Sequence, residues 1–284
     1  MAELTTLCGT PLRVRGKAMQ ALRWIVAASL SLAVGGCASL RTEPSPDLQR
    51  ALAPTGPLRV AFLSGPLYAT KDPATGELKG VAMDLGRELA RRIGVPYQPV
   101  VYANPAATLA GAKSSEWDVA LMGINPERAA AVDFSAPYMD VEQGFLVRAG
   151  VPVGTASEVD KPGTRVAVVE GTSADVHLSG SLKNATLVRT KSIRDLDAAI
   201  DAGRADVIAA TKASLFERSA QRPGTRVLDG RFLVEPLGMG VPKGRDPAAS
   251  SYVGRFVEEA KARGIVKSAI EKAGLRGVTV ARSR

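Results

Sequence analysis

The chain has 284 residues and a formal net charge of +9, with 37 Lys and Arg against 28 Asp and Glu. Its basic residues are dispersed and form no platform with aromatic side chains, which argues against nucleic acid as a partner. His177 is the one histidine and no thiol accompanies it, so we expect neither a metal site nor a cofactor.

The first 36 residues have the layout of a secretory signal. An apolar run from Trp24 to Val34 is too short to span a bilayer and follows four basic residues: Arg13, Arg15, Lys17 and Arg23. The sequence Val34-Gly35-Gly36-Cys37 resembles the lipobox of bacterial lipoproteins, which implies cleavage before Cys37 and a lipid anchor on its sulfur. An ordinary signal peptide with an incidental cysteine is the alternative, and Met19 is a second candidate for the true start.

Residues 37–56 are rich in Ser, Pro, Thr and Ala and show no sustained period, so they predict a flexible tether. From Pro57 onward short apolar segments alternate with helical patterns, which predicts an α/β fold with parallel-rich sheets. The predicted strands are 58–63, 97–102, 118–122, 144–148, 165–169, 186–189, 207–210 and 238–242. The predicted helices are 81–93, 106–112, 193–202, 213–219 and 248–262.

Two segments of the chain echo each other. Residues 110–123 and 200–211 both run from a helix end through a small turn to Asp-Val and a strand. This similarity favours two lobes of related architecture, although turn sequences that are common in α/β proteins explain it equally well.

The junction between the strand at 118–122 and the next segment is suited to hold an anion. Asn125 is a good N-cap and Pro126 fits the first helical position, so a helix should begin there. The free N–H groups of a first helical turn favour negative charge, and Arg128 adds a planar fork that matches a carboxylate. The alternative is that Arg128 pairs with Glu127, Asp133 or another surface acid.

Three motifs, in the same order and spacing, resemble the bacterial extracellular solute-binding proteins of family 3, the polar amino-acid binders of ABC importers. They are GVAMDLG at 80–86, NPER at 125–128 and DFSAPY at 133–138. The resemblance implies the two-lobed periplasmic-binding fold, type II, with helices on both faces of its sheets. Lobe one would comprise 57–140 and 238–284, lobe two 144–234, and the hinge 140–143 and 235–238.

The same resemblance implies a ligand site between the lobes. Arg128 would grip a carboxylate of the ligand, and the turn at 171–173 would contact it from the opposite lobe; a helix cap that faces solvent is the alternative for that turn. The candidate ligand-binding residues are Arg128, Asn125, Gly123, Thr172, Ser173, Gly171, Thr211 and Tyr68. We assign no catalytic residue and no metal ligand.

Departures from the family pattern bear on the ligand. Family members usually place an acid after the first strand and another after a lobe-two strand, to hold an ammonium group. Residues 63–66 and 210–212 offer none, and Gly123 and Asn125 replace hydroxyl residues. We therefore expect a small carboxylate-bearing or polar solute, and not a standard α-amino acid. Lys212 would add to a preference for anions if it faced the cleft, and Tyr138 would either wall the pocket or pack at the hinge.

These features predict the solute-binding component of an ABC importer, in the periplasm or cell envelope and lipid-anchored at Cys37. Its partners would be a small solute and an ABC permease in the cytoplasmic membrane. One alternative is a dehydratase-like enzyme of the same fold, for which Glu170 and Glu142 are the acids near the cleft. Another is a sensory or scaffold lipoprotein.

Overall fold

The computed structural model describes residues 45–72 and 75–283. Its strands are β1 (Leu58–Leu63), β2 (Thr70–Lys71), β3 (Leu78–Lys79), β4 (Tyr97–Tyr102), β5 (Val119–Gly123), β6 (Val132–Phe134), β7 (Met139–Val147), β8 (Arg165–Val169), β9 (Thr186–Thr190), β10 (Val207–Thr211), β11 (Arg226–Val227), β12 (Leu233–Pro242) and β13 (Val278–Val280). Its helices are α1 (Pro46–Leu52), α2 (Val81–Ile93), α3 (Pro105–Lys113), α4 (Pro126–Ala129), α5 (Ser173–Ser181), α6 (Ile193–Asp201), α7 (Lys212–Gln221), α8 (Pro247–Ala262) and α9 (Ile265–Lys272), with a 3₁₀ turn at Ala156–Glu158.

One large sheet runs through the protein in the order β4-β1-β5-β12-β7-β10-β8-β9. Strand β1 is parallel to β4 and β5, and β8 is parallel to β9 and β10. Strands β7 and β12 are antiparallel to each other and to their outer neighbours, β10 and β5. The two long strands therefore join two parallel-rich halves, and we call them the crossing strands.

Each half has its own core on both faces of its sheet. In lobe 1, meaning the elements before β7 and after β12, Val60 and Phe62 pack on one face and Ala61 on the other. In lobe 2, meaning the elements between the crossing strands, Val168 and Ala167 divide in the same way. Strands that are buried on both faces are typical of parallel sheets covered by helices, so the predicted α/β class is confirmed.

Local sequence signals explain the elements that frame the cleft. The predicted strands 58–63, 97–102 and 165–169 and the helix 81–93 have the same bounds in the structure. Helix α2 ends at Gly94, whose left-handed φ of 69° lets its N–H reach the carbonyl of Ala90. It begins after Gly80, where a Cβ would lie 2.4 Å from the carbonyl oxygen of Tyr68. No larger residue fits there, which fixes the turn that carries Tyr68.

The predicted tether is wrong for its second half, because residues 46–52 form helix α1. The Ser45 hydroxyl accepts a hydrogen bond of 3.2 Å from the N–H of Leu48, and Pro46 opens the helix. Leu52 is fully buried, and the Gln49 side chain donates to the carbonyl of Ile93 at 2.8 Å. The Ser- and Pro-rich composition hid a short capped helix that packs on lobe 1.

The predicted hinge segments, 140–143 and 235–238, lie inside the crossing strands. Residues 139–143 of β7 pair with residues 233–237 of β12 in an unbroken antiparallel register. The predicted signal peptide, Met19 and Cys37 fall outside the described residues. Within the described ranges, no helix is both long enough and apolar enough to cross a membrane.

The two echoing segments build the same structure in both lobes. Asp118, before β5, accepts hydrogen bonds from the backbone N–H of Arg59 at 3.0 Å and from its Nε at 2.9 Å. Asp206, before β10, accepts the equivalent bonds from Arg165 at 3.1 and 2.9 Å. A second arginine donates to each aspartate: Arg245 to Asp118 and Arg148 to Asp206. We call these two groups the arginine clamps.

Candidate ligand-binding cleft

A cavity of about 350 Å³ lies between the lobes. Residues 62–68, which end β1 and begin the following turn, line it from lobe 1 together with Arg128. Residues 172–174 and 209–211 line it from lobe 2, and Gln143 and Glu235 contribute from the crossing strands. Its volume falls in the range of roughly 300–1,000 Å³ that is typical of small-molecule sites.

Arg128 lies at the base of this cavity, with only 5% of its surface exposed. The Asn125 side chain accepts the backbone N–H of Arg128 at 2.8 Å, which caps the short helix α4. The guanidinium Nη1 donates to the carbonyl of Gly123 at 2.9 Å and to Glu235 Oε1 at 3.3 Å, while Nη2 donates to the carbonyl of Gly171 at 3.2 Å. Nε–H and one Nη2 hydrogen have no acceptor among the described residues, so both can donate a hydrogen bond to an oxygen atom of a ligand.

Glu235 is a cavity-lining acid that the sequence analysis did not single out. Its carboxylate accepts hydrogen bonds from Arg128, from the Ser173 hydroxyl and from Gln143 Nε2, the last at 2.6 Å. Only 7% of its surface is exposed. Its sequence signal is a lone acid in the otherwise apolar strand β12, whereas the family pattern directs attention to the ends of β1 and β10.

Gly123 makes room for that carboxylate. A Cβ at this position would lie 1.7 Å from Glu235 Oε1 and 2.7 Å from Arg128 Nη1. From the sequence, we interpreted Gly123 as the loss of a hydroxyl that could contact the ligand. The structure gives the glycine a different reason, because any side chain there would displace Glu235.

The lobe-2 turn uses its hydroxyls within the protein. Thr172 caps helix α5: its Oγ1 accepts the N–H of Asp175 at 3.3 Å and donates to the carbonyl of Val169 at 2.7 Å. Ser173 donates to Glu235. Gly171 has a left-handed φ of 73° and turns its carbonyl toward Arg128. The turn therefore faces the cavity, and the solvent-facing alternative does not apply.

Of four further residues considered from the sequence, two line the cavity and two do not. Thr211 caps helix α7 and lines the cavity. Tyr68 also lines it, and burial raises the pKa of its hydroxyl above the usual range, so the group stays neutral. Lys212 does not line the cavity; its Nζ lies 3.2 Å from Glu142. Tyr138 is fully buried in the core of lobe 1 and does not wall the pocket.

The eight predicted site residues thus divide into two groups. Five line the cavity: Arg128, Thr172, Ser173, Thr211 and Tyr68. Three hold Arg128 through their backbone or side-chain oxygens: Gly123, Asn125 and Gly171. The structure brings both groups to one place at the carboxyl ends of the parallel strands.

The two acids considered for an enzyme lie elsewhere. Glu170 is half exposed and pairs with Lys191, and Glu142 pairs with Lys212 and Arg231; neither lines the cavity. The cleft takes its other carboxylates from Asp197 and Glu217.

The sequence profile of the bacterial extracellular solute-binding proteins, family 3, matches residues 58–274. The chain belongs to this family. The ABC transporter glutamine-binding protein GlnH of Bacillus subtilis (strain 168) is 24% identical to it over 187 residues, which is 64% of this chain and 68% of the relative. The family thus consists of extracellular solute-binding proteins, and this relative is named as the glutamine-binding protein of an ABC transporter.

Solved structures agree with the two-lobed architecture of family 3. A crystal structure of a mutant of ArgBP from T. maritima matches with a TM-score of 0.70 and 27% identity, over 80% of this chain and 99% of that one. The ancestral amino acid-binding protein AncCDT-1, a precursor of cyclohexadienyl dehydratase, matches with a TM-score of 0.68 and 25% identity, over 80% and 99% of the two chains. The predicted family resemblance and fold are confirmed.

Proposed function

We propose that the protein is the solute-binding component of an ABC importer and encloses a small polar, carboxylate-bearing solute between its lobes. One observation supports this most directly: the buried Arg128 keeps two N–H donors that have no acceptor in the described part of the chain, at a cavity lined by both lobes. A charge-assisted hydrogen bond to a carboxylate would use those donors. Arg128 and the seven other residues of the predicted set are the proposed site.

The charge balance of the cavity restricts the class of solute that it can bind. Three basic and three acidic side chains line it, so it is formally neutral: Lys71, Arg128, Arg218, Asp197, Glu217 and Glu235. Glu235 already offsets Arg128, and Asp197 offsets Arg218 at 2.9 Å. A purely anionic solute would place an uncompensated negative charge in this cleft, which is costly. The solute's carboxylate is therefore expected to arrive with a positive group or with hydrogen-bond donors of its own.

This balance changes one expectation about the ligand. We expected a solute other than a standard α-amino acid because residues 63–66 and 210–212 offer no carboxylate. Glu235, Asp197 and Glu217 supply carboxylates to the cleft from other positions. The relatives named above bind or are named for amino acids, and we propose that such zwitterions belong among the candidate solutes.

A thermal-shift comparison of two solutes of nearly equal shape tests the proposal. L-Glutamine and glutaramic acid share the amide and the carboxylate, and only glutamine carries the ammonium group. A ligand at 100 times its Kd raises the free energy of unfolding by about 2.7 kcal/mol, so binding is visible as a higher Tm. We expect L-glutamine, L-arginine or L-lysine to raise the Tm of the full chain in detergent more than glutaramic acid does. Stabilisation by a neutral sugar alone, or an equal effect of glutaramic acid, would contradict the proposed chemistry.

The proposed location, at the membrane in the periplasm or cell envelope, follows from the proposed role in an ABC importer. Removal of residues 1–36 and a lipid on Cys37 would hold the protein at the membrane surface, next to an ABC permease of the cytoplasmic membrane. These segments fall outside the described residues, so support for the anchor comes from the sequence pattern.

A further inference from the structure

One buried carboxylate connects three separate parts of the protein. Glu235, on crossing strand β12, takes hydrogen bonds from Arg128 of lobe 1, Ser173 of lobe 2 and Gln143 of crossing strand β7. Only 2% of Gln143 is exposed, so this cluster is shielded from solvent. A shielded carboxylate depends on its donors, because each donor that it loses leaves a charge without compensation.

Two contacts in this cluster hold lobe 2: one comes from lobe 1 and the other from a crossing strand. Arg128 Nη2 donates to the carbonyl of Gly171 at 3.2 Å, and Ser173 donates to Glu235. Both contacts join protein atoms only. They bring lobe 2 against the arginine that faces the cavity.

The position of Glu235 on its strand decides which contact changes when the lobes move. The next residue, Pro236, accepts the N–H of Ile124 at 2.8 Å, and residues 237–240 pair with β5 of lobe 1. Glu235 therefore moves with lobe 1, while Ser173 opens helix α5 of lobe 2. Rotation of the lobes about the crossing strands must separate these two residues.

We propose that Glu235 is a positioning residue that holds the cleft closed. It fixes the guanidinium of Arg128 from the Nη1 side and takes Ser173 as its partner from the other lobe. Gly123 has no side chain, and this leaves the space in which the Glu235 carboxylate reaches both Arg128 and Ser173. The inference rests on the proposed function in one respect only, that closure of the two lobes is the state that encloses the solute.

Amide hydrogen exchange of the solute-free full chain tests this directly, since exchange reports local opening. The variants are Ser173→Ala, which removes only the lobe-2 donor, and Glu235→Gln, which keeps the shape of the side chain but not its charge. The control is Glu170→Gln, which removes a charge from the same turn at a half-exposed position; within residues 45–72 and 75–283 its side chain pairs with Lys191 alone. We expect exchange in residues 62–68 and 169–176 to rise about tenfold in both test variants, the effect of losing one hydrogen bond to a charged group. The control should match the parent.

Two results would overturn the inference. One is exchange in the cleft segments that is equal in parent, test variants and control. The other is an equal rise in the outer helix α8, which would show a general loss of stability instead of opening of the cleft. Because no solute is present, failure of the thermal-shift comparison leaves this test intact, and failure here leaves the proposed solute class intact.

A double-mutant cycle tests the pairing of Gly123 with Glu235. Gly123→Ala should open the cleft in the parent, because the new Cβ meets Glu235 Oε1. In a Glu235→Ala background the 1.7 Å contact is gone and the 2.7 Å approach to Arg128 Nη1 is left, so the added effect of the methyl group on exchange should be several-fold smaller. Equal effects in both backgrounds would show that the glycine does not serve the carboxylate.

Discussion

Arg128 and Glu235 are both charged and almost completely shielded from solvent, and their closest atoms lie 3.3 Å apart. Loss of one partner from a buried ion pair leaves the other uncompensated, at a cost of about 3–5 kcal/mol. A substitution at either residue therefore acts on the fold as well as on the site.

Arg128→Ala should weaken binding of a carboxylate-bearing solute by about 2–4 kcal/mol, because it removes a charge-assisted hydrogen bond from a closed cleft. It should also lower the free energy of unfolding, because Glu235 loses its cation. Titration calorimetry with the most stabilising amino acid and urea unfolding measure the two effects. The double variant Arg128→Ala with Glu235→Ala should recover stability but not affinity. Unchanged affinity in the single variant would remove Arg128 from the site.

The site shows which residues a sequence can reveal. Arg128 was predictable because its signal is local: a strand, an Asn-Pro helix start and an arginine within one turn. Glu235 was not, because its contact with Arg128 joins positions 107 residues apart. The reason for a glycine at position 123 is the nearby Glu235 carboxylate, so it could not be predicted without that distant contact.

Among the elements, those with strong periodic patterns and clear ends were predictable. Helix α2 has an apolar stripe between two glycines, and its predicted bounds match the structure. Helix α1 was missed because seven residues are too few to show a period. Its burial comes from contacts with residues that are distant in the sequence, such as Ile93.

Helix α2 also carries a pH-dependent contribution to stability. Hydrogen bonds from Arg91, and then from Arg92, lower the pKa of the Glu88 carboxyl from 4.5 to about 2. Arg92 in turn reaches Glu259 of helix α8 at 2.7 Å. A carboxyl whose pKa is lower in the folded state stabilises the fold above its unfolded pKa, and this contribution is lost as the pH falls from about 4.5 to about 2.

Glu88→Gln should therefore lower the Tm at neutral pH, and the difference from the parent should shrink below pH 4.5 and vanish near pH 2. Calorimetric scans across that range measure it. Asp84→Asn, on the same helix, is a suitable comparison because Asp84 makes a single ion pair among the described residues, a 3.4 Å contact with the exposed Lys272. A difference between Glu88→Gln and the parent that stayed constant with pH would contradict the assignment.

At the scale of the molecule, the alternation of strands and helices predicted the α/β class, and the family resemblance implied its two lobes. The crossing strands were harder to predict, because β7 continues through polar residues at the expected hinge: Asp140, Glu142 and Gln143. Those residues read as a loop in the sequence. Their pairing with β12 and β13 turns them into a continuous strand.

Cys37→Ser should release the protein from the membrane fraction, because it removes the sulfur that would carry the lipid. Cell fractionation with immunodetection measures the change. Cys8→Ser is the matched control: it alters the other cysteine, within the predicted signal, and should leave the protein at the membrane. Continued membrane association of the Cys37→Ser variant would point to an uncleaved anchor.

The strand order is symmetric about its centre, where β12 meets β7: β5, β1 and β4 on one side correspond to β10, β8 and β9 on the other. The two arginine clamps occupy corresponding positions on the two sides. A pseudo-two-fold axis therefore passes between the crossing strands, and the cavity is built from two equivalent half-sites. Their side chains differ: helix α4 offers Arg128, whereas the matching helix α7, which Thr211 caps, directs Lys212 to Glu142 and carries an Arg218 that is paired with Asp197. A backbone with this symmetry would accept a solute in either of two directions. We propose that Arg128, whose Nε–H has no acceptor among the described residues, gives the solute one direction, with its carboxylate toward lobe 1.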